Sequence, residues 1–565
     1  MRPTDIVSPN RRATAVACLL AICGLAFAWD WWSEAQPVDL PDGVATSLPC
    51  VSYAPSRHAG TVRSSLSTAR IRHDFALLAQ RTRCVRTYTV AEGYDQVPAV
   101  AREFGLQVLL GLWIGRDADL NAGEIDRGIT LARAHRGTIR AIVVGNEVLL
   151  RHELTPAQLA ALIRRVAEAT HLPVTYADVW GRWIDHKALA REVDFVTVHI
   201  LPYWDDDPVG IDDVIAYVDR LYSGLRREFP GKALYVGETG WPSAGRPRGA
   251  AEPGRLQQAR YLREFTVLAA RRGFDFNVIE AFDQAWKIPH EGTVGGHWGL
   301  HDADARPKFA WTGTVVESPL GAPLAWSALL AGVLCALVVA ATMSGRSARL
   351  RAAAASFAAV SLAITIGARQ WQYLVDGNVH WLDWAGTLAM CALGWIALAF
   401  ALRALAREEP GTTDPVPRGV MLPLLASGAY VGLGLAFAGR HRDFPVWLFL
   451  PAALALGGSA LAGPGARAAA LRRHSANEEV MLAAWLVAAA FVIPWLERLQ
   501  NLRSAAWGVV SLALGLSVLL PWALQARERE RAANDADAGP GEVVQHHAAG
   551  ADGHREQGEP ARPPP

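Results

Sequence analysis

Two glutamates in this sequence each follow directly on an apolar, β-prone run: Glu147 after Ala141-Ile142-Val143-Val144-Gly145-Asn146, and Glu238 after Ala233-Leu234-Tyr235-Val236-Gly237. A carboxylic acid and a carboxylate held across one bond are what cleavage of a sugar acetal requires. One protonates the departing oxygen, and the other attacks the anomeric carbon or activates water. Carboxyl groups about 5–5.5 Å apart select double displacement through a covalent intermediate, and that spacing is expected for this pair. Beside a second negative charge, Glu147 should hold its proton more tightly and serve as acid, then base. Glu238 should stay ionised as the nucleophile, with Asn146 placed to bind a 2-hydroxyl. A single strand-end glutamate is more often a helix cap or a surface charge, so the elements that position the pair decide the matter.

Between residues 50 and 318, β-rich runs alternate with amphipathic helical patterns. Strands are expected at 50–55, 85–90, 106–113, 141–149, 173–180, 195–204, 233–241 and 276–286. Helices are expected at 68–82, 95–104, 122–136, 155–170, 183–192, 211–228 and 254–272, with a short eighth at 307–316. The fourth helix has Thr155 as N-cap and Pro156 at its first position, with Leu159, Leu162, Ile163 and Val166 at helical spacing. Strands that are nearly continuously apolar are covered on both faces. Eight such βα units fit a (β/α)8 TIM barrel, which typically needs about 250 residues. An open doubly wound sheet is the alternative, but it wants a Gly-rich turn after its first strand, and Tyr53-Ala54-Pro55-Ser56 supplies none.

Chemistry in such a barrel sits at the C-terminal ends of the strands. The residues there are Tyr53; Arg86 and Tyr88; Trp113; Asn146 and Glu147; Tyr176, Asp178 and Trp180; His199, Tyr203 and Trp204; Glu238 and Trp241; and Glu280, Asp283, Trp286 and Lys287. Aromatic faces stack on sugar rings and short polar groups bind hydroxyls, so this rim reads as a carbohydrate cleft. Glu280 and Asp283 are alternatively ion-pair partners of Arg86 or Lys287, and His199 a satisfied structural histidine.

Val143-Val144-Gly145-Asn146-Glu147 and Gly237-Glu238-Thr239-Gly240-Trp241-Pro242-Ser243 resemble the acid/base and nucleophile signatures of glycoside hydrolase family 17, the β-1,3-glucanases and glucanosyltransferases. Val85-Arg86-Thr87-Tyr88, Glu280 to Lys287, Glu291 and His297-Trp298-Gly299-Leu300 support the resemblance, which covers about 50–312. It implies a retaining mechanism on β-1,3-glucan, with Glu147 as acid/base and Glu238 as nucleophile. Tyr203, Trp241, Asp283, Trp286, Lys287 and Glu291 are implied near the substrate. The substrate-binding set expected from the sequence is thus Tyr53, Arg86, Tyr88, Asn146, Tyr176, Asp178, His199, Tyr203, Trp241, Asp283, Trp286, Lys287 and Glu291. No metal and no cofactor are expected. Hydrolysis, transfer to another glucan and formation of β-1,6 links all remain open from sequence.

The rest of the chain departs from that family. Of 565 residues, 51% are hydrophobic and only 19% charged, against about a quarter charged in a soluble protein. Fifty-five Lys and Arg balance 54 Asp and Glu, which leaves no net field for nucleic acid. A bilayer crossing needs roughly 20 apolar residues. Seven candidates lie at about 322–343, 352–368, 379–402, 419–439, 444–463, 479–496 and 504–525, and another at 13–31. One set of alternate loops and the tail carries Arg346, Arg349 and Arg351; Arg403, Arg407 and Arg418; Arg467, Arg472 and Arg473; and Arg527, Arg529 and Arg531. The other carries Arg369; Arg440 and Arg442; and Arg498 and Arg503. Basic loops stay cytoplasmic, so both termini are expected inside and residues 33–318 in the periplasm of an inner-membrane protein.

The expected organisation is a cytoplasmic N-terminus with a signal-anchor helix over 1–32, the barrel over 33–318, an all-α multi-span membrane domain over 319–525 and a disordered cytoplasmic tail over 526–565. Ala26-Phe27-Ala28 resembles a cleavage site, while Trp29, Trp31 and Trp32 suit a retained anchor. The spans hold few ionisable residues, which reads as an anchor rather than a transport path; Trp371, Trp381 and Trp384 read as an interfacial belt, with a glycan-guiding groove as the alternative. His546, His547 and His554 lie in the tail. Expected partners are the glucan, the bilayer and a membrane glucan synthase. Cys50 and Cys84 begin neighbouring strands, so an exported barrel permits a disulfide between them if their Cα atoms lie within about 7 Å; two unpaired cysteines are the alternative. A glucan-binding or export-associated membrane protein is the non-enzyme reading.

Overall fold

The structure is a computed structural model that describes residues 9–44, 47–55, 66–406, 416–439, 442–462 and 477–537. Eight parallel strands close into a barrel: β1 (Cys50–Ser52), β2 (Cys84–Arg86), β3 (Gln107–Leu112), β4 (Ile139–Asn146), β5 (Val174–Val179), β6 (Phe195–His199), β7 (Ala233–Thr239) and β8 (Phe276–Val278). Each strand pairs with its sequence neighbour, and β1 closes the ring against β8 through Cys50 beside Asn277 and Val51 beside Val278. Every strand of the expected set is present, most of them shorter than their apolar runs.

The chain enters through α1 (Pro9–Glu34), then alternates strands with α2 (Thr68–Leu78), α3 (Val97–Glu103), α4 (Ala118–Ala134), α5 (Pro156–Thr170), α6 (Trp180–Asp185), α7 (Val214–Glu228) and α8 (Arg255–Arg272). The α5 start is as read: Thr155 and Gln158 form a reciprocal capping box with Pro156 in the first turn. Apolar faces of these helices and the strands meet in one core that includes Ile71, Phe75, Ile125, Ile163, Val218 and Phe265.

The expected helix at 307–316 does not form. Thr314–Val315 instead pairs antiparallel with Val38–Asp39. Arg263 of α8, fully buried, donates to the carbonyls of Ala310 and Gly313. Those carbonyls are turned outward to the guanidinium, where a helix would turn them to its own amides. β8 is followed by short helical turns, 3-10 at Ala285–Lys287 and Thr293–Gly296 with α9 (Ile288–Glu291) between them.

Cys50 and Cys84 form a disulfide with Cα atoms 4.3 Å apart. They begin β1 and β2, so the bridge lies at the end of the barrel opposite Glu147 and Glu238.

Beyond the barrel lie α10 (Gly321–Thr342), α11 (Arg346–Gly377), α12 (Trp381–Ala406), α13 (Arg418–Phe437), α14 (Val446–Ala462), α15 (Asn477–Leu496) and α16 (Leu502–Asp537). Seven described helices, α1 among them, are long and apolar enough to cross a membrane; α14 is shorter. α1 packs with this bundle through Ala13, Val16, Ala17 and Leu20. Near its other end, Arg369 bonds Asp30 at 2.8 Å and Glu34 at 2.6 Å. Trp371 and Trp381 are largely exposed, while Trp384 is half-buried with its ring 6.1 Å from that of Trp371. The stretch expected to be disordered begins as helix: α16 runs on to Asp537, through an Ala-, Arg- and Glu-rich sequence of high helix propensity. The rest of the tail, with its three histidines, lies outside the described residues, as do Arg407, Arg440, Arg467, Arg472 and Arg473.

Candidate active site

Three strands change register where they reach the rim: β4 against β5 between Val143 and Asn146, β6 against β7 between Val198 and His199, and β7 against β8 between Val236 and Thr239. A bulge at a barrel rim re-aims a side chain. Glu147 follows the first of these and sits at φ 54°, a left-handed conformation uncommon for a glutamate and concentrated at functional sites. Gly237 lies beside the last two. A β-carbon there would meet Thr197 Cγ2 at 2.4 Å and His199 Cδ2 at 3.1 Å, so only glycine lets these strands approach.

These devices bring the two glutamates together around His199. The histidine's Nδ1 lies 3.2 Å from Glu147 Oε1 and its Nε2 3.6 Å from Glu238 Oε1. One donor atom from each of the three side chains lies within 4.8 Å of the others. Such a trio could in principle hold a cation. Glu238 Oε1, however, already accepts from the Arg86 guanidinium at 3.2 Å and from Tyr88 Oη at 2.9 Å. A metal would sit against a fixed positive charge there, so the donor set fits a carboxylate kept for its own chemistry.

Glu238 is buried, and its partners form one directed chain. Asn277 Nδ2 donates to Ser52 Oγ at 2.7 Å, Ser52 donates to Tyr88 Oη at 2.8 Å, and Tyr88 donates to the carboxylate. Donors aligned this way polarise one another. Burial first, and the Glu238 charge next, push the Tyr88 hydroxyl well above the usual tyrosine range, so it stays a donor. Arg86, also buried, holds Gly237 O at 2.7 Å and Asn146 Oδ1 at 2.5 Å. With its oxygen taken by Arg86, Asn146 presents its NH2 as the donor.

Glu147 differs electrostatically from expectation. Burial pushes its carboxyl up, but the His199 hydrogen bond and the charges of His199, Arg151 and Arg86 outweigh burial and hold it below the usual carboxylate range.

Lys287 donates to Glu280 at 2.6 Å. Burial pushes the Glu280 carboxyl up to about 7 against the pull of Lys287. Glu291, half-buried, is raised by burial and by the Glu147 and Glu238 charges, which places it in their field. Asp283 pairs with neither expected cation. It bonds Lys308 at 2.6 Å and the Gly299 amide at 2.9 Å, with His297 at 3.7 Å. Trp286 is half-buried, its indole N–H on Gln284. Trp113 is 45% exposed with the Arg151 guanidinium 4.5 Å from its ring, an open face beside Glu147's strand.

Five residues expected to touch substrate are buried, with their polar atoms bonded inside the protein. Tyr53 is fully buried and donates to Asp74 at 3.0 Å. Tyr176 and Asp178 are buried and bond each other, and they also receive the amides of Leu149 and Leu150, bracing the segment behind Glu147. Tyr203 is buried on the Arg246 carbonyl, and Trp241 on the Glu252 carbonyl. In each case the polar atom is spent inside the protein. Ser52, Asn277, Arg151 and Lys308 were missed; a serine and an asparagine within apolar strands were the available signals for the first two.

Eight parallel strands and two facing carboxylates at the C-terminal rim define a glycosidase-type barrel. Residues 50–299 match the family model of the BtgE/BtgC glycoside hydrolase domain. A glucan 1,3-beta-glucosidase of Arthroderma benhamiae is 28% identical over 256 residues, 42% of this chain and 82% of its own. The glucan 1,3-beta-glucosidase BGL2 of Candida albicans is 26% identical over 261 residues, 42% of this chain and 84% of its own. Among solved structures, the glycoside hydrolase family 17 beta-1,3-glucanosyltransferase of Rhizomucor miehei is 26% identical, covering 48% of this chain and 98% of that one, with a TM-score of 0.42. Over residues 50–299 the barrel is similar to a glycoside hydrolase domain, and the matches leave the C-terminal helices outside.

Proposed function

We propose that this protein cleaves β-1,3-glucosidic bonds with retention, through a covalent glycosyl-enzyme on Glu238, and transfers the glycosyl group to another glucan. The observation that carries the reading is the spacing of Glu147 and Glu238 on either side of His199, with carboxylate oxygens within 4.8 Å. Retaining enzymes hold their carboxyls about 5–5.5 Å apart and inverting ones about 6.5–9.5 Å, and one oxygen of each carboxylate within 4.8 Å of the other supports the shorter spacing. The names of the fungal relatives support β-1,3-glucan as the substrate.

In the first step a Glu238 oxygen bonds the anomeric carbon while the glycosidic C–O bond breaks, and the Glu147 proton passes to the departing oxygen. In the second, an acceptor hydroxyl gives its proton back to Glu147 and displaces Glu238. Arg86 and Tyr88 aim the nucleophile, and the Asn146 amide faces the 2-hydroxyl. A glucan in the cleft displaces water from the partly exposed Glu147, which strengthens desolvation and so favours the protonated acid. Trp113 and Trp286 offer faces for sugar rings.

Seven candidate spans and the arginine distribution support an inner-membrane protein with the barrel in the periplasm and both termini in the cytoplasm. The test is incubation of the purified full chain with laminari-oligosaccharides, with products sized and their anomeric configuration followed by NMR. Products longer than the donor, with β configuration retained, are expected; Glu238→Gln abolishes them. Only shorter products mean hydrolysis, and α products overturn the double displacement.

A further inference from the structure

We infer that the membrane half is part of the catalytic framework, with Asn501 the central positioning residue; this rests on the glycosidase reading above. The loops after β6, β7 and β8 leave the same end of the barrel as Glu147 and Glu238, and all three are bonded to the membrane half. Asp207 of the first pairs with Arg498 at 2.6 Å, though both side chains are exposed and the pair contributes little. The second loop is gripped from three sides. Arg246 donates to the Arg442 carbonyl at 2.7 Å, Asn501 donates to the Pro247 carbonyl at 2.9 Å, and Arg503 donates to the Gly245 carbonyl. The third loop is held by Thr293 on Asp443 and by His297, whose Nε2 lies 3.1 Å from the Asp376 carbonyl.

Asn501 is 1% exposed. Its oxygen accepts the Arg503 and Ser504 amides at the start of α16, while its nitrogen holds Pro247 and also Glu497 at 3.0 Å. One side chain therefore caps a candidate span and clamps a rim loop. Glu497 in turn receives Arg442 at 2.8 Å.

The clamped loop leads to the reacting groups by two short routes. Tyr203, four residues beyond His199, donates to the Arg246 carbonyl at 2.7 Å and receives Arg248 on its own carbonyl at 2.6 Å. Trp241, three residues beyond Glu238, donates to the Glu252 carbonyl at 2.8 Å. The loop also touches its neighbour backbone to backbone: Gly245 sits at φ 114°, where a β-carbon would meet Val294 Cα at 2.7 Å. Between barrel and bundle lies a polar cavity of about 410 Å³ lined by Ser243, Asp376, Asp443 and Trp447 among others. The seam is thus set by a few directional bonds, and loss of one shifts the loop without unfolding either half. A misplacement of about 1 Å remote from the chemistry can cost about a hundredfold in rate.

The test uses the full chain in lipid nanodiscs. Asn501→Ser keeps an oxygen to cap α16 but removes the donor to Pro247; Thr293→Val independently releases the other loop. Expected for each is a fall in kcat of about fivefold or more, the equivalent of ~1 kcal/mol for one hydrogen bond. KM stays within about twofold, the signature of an interaction felt in the transition state. Amide exchange across 243–252 rises in Asn501→Ser while the thermal midpoint of the barrel holds. Wild-type kcat with unchanged exchange in both variants overturns the inference, as does a kcat loss matched by loss of folded protein. Failure of the wild type to act on any β-glucan sinks the glycosidase reading instead, and the exchange measurement then decides the positioning role alone.

Discussion

Replacing Arg86 by lysine separates charge from geometry at Glu238, the proposed nucleophile. The guanidinium makes three hydrogen bonds at once, to Gly237 O, Glu238 Oε1 and Asn146 Oδ1, and lies 4.6 Å from the centre of the Tyr88 ring. Lysine keeps the positive charge in this buried place, so the penalty of roughly 3–5 kcal/mol for orphaning a buried carboxylate does not arise. A point-like ammonium on a flexible stem cannot reproduce the fork, and at least two of the three bonds are lost. Hydrogen bonds from a charged donor contribute about 1.5–3 kcal/mol each. Two of them amount to about 3–6 kcal/mol, a factor of about 10² to 10⁴ in kcat/KM. The loss falls on kcat, because Glu238 and Asn146 are aimed at the anomeric carbon and the 2-hydroxyl of the reacting sugar. The assay is initial-rate hydrolysis or transfer on a laminari-oligosaccharide, with thermal unfolding run in parallel. A folded Arg86→Lys protein within tenfold of wild type refutes the assignment of Arg86 as the residue that aims both groups.

In its proposed role as acid Glu147 must be protonated, and in the free site its neighbours hold it below the usual carboxylate range. Activity therefore falls as pH rises through its pKa, and this basic limb lies at lower pH in the kcat/KM profile than in the kcat profile, where bound glucan has displaced water; coincident limbs contradict the desolvation argument. Gly237→Ala drives a methyl into Thr197 and His199 and is expected to destabilise by about 1–3 kcal/mol, with turnover lost alongside because His199 spans the two glutamates. Replacing both Cys50 and Cys84 by serine opens a crosslink over 34 residues, worth ~3–4 kcal/mol on the chain-entropy account; the barrel's thermal midpoint falls while kcat, measured well below that midpoint, is retained, since the bridge lies at the far end from the glutamates.

The barrel was legible because its strands are long apolar runs and its helices carry 3.6-residue periodicity, both local properties. The glutamate pair was legible because each follows such a run. What local pattern does not carry is where a polar atom points once a strand bulges. Tyr88 and Tyr176 end adjacent-looking runs, yet one donates to the nucleophile and the other to Asp178 behind Glu147. Tyr53, Tyr203 and Trp241 were likewise assigned by residue type, and their polar atoms turn inward to Asp74, Arg246 and Glu252. The pKa of Glu147 was misjudged for a related reason. Its sign depends on Arg86, Arg151 and His199, residues 61, 4 and 52 positions away, whose approach no spacing rule foretells.

The C-terminal helices carry the clearest case of one signal hiding another. Arginine counts favour one set of loops by a modest margin, because the opposite set is not empty: Arg369, Arg442, Arg498 and Arg503 stand on the barrel's side. Each of these four has a partner there. Arg369 bonds Asp30 and Glu34, Arg442 bonds Glu497, Arg498 bonds Asp207 and Arg503 bonds the Gly245 carbonyl. Orientation by charge counts basic residues as though all faced the same choice between compartments, whereas Arg498 and Arg503 are spent on barrel loops, Arg369 on α1 and Arg442 on Glu497. Discounting them widens the arginine margin that supports the proposed orientation. The contact between Asn501 and Pro247 spans 254 positions, so the sequence presents it as two unrelated loops. The fold joins them into one support for the loop that follows the strand of Glu238.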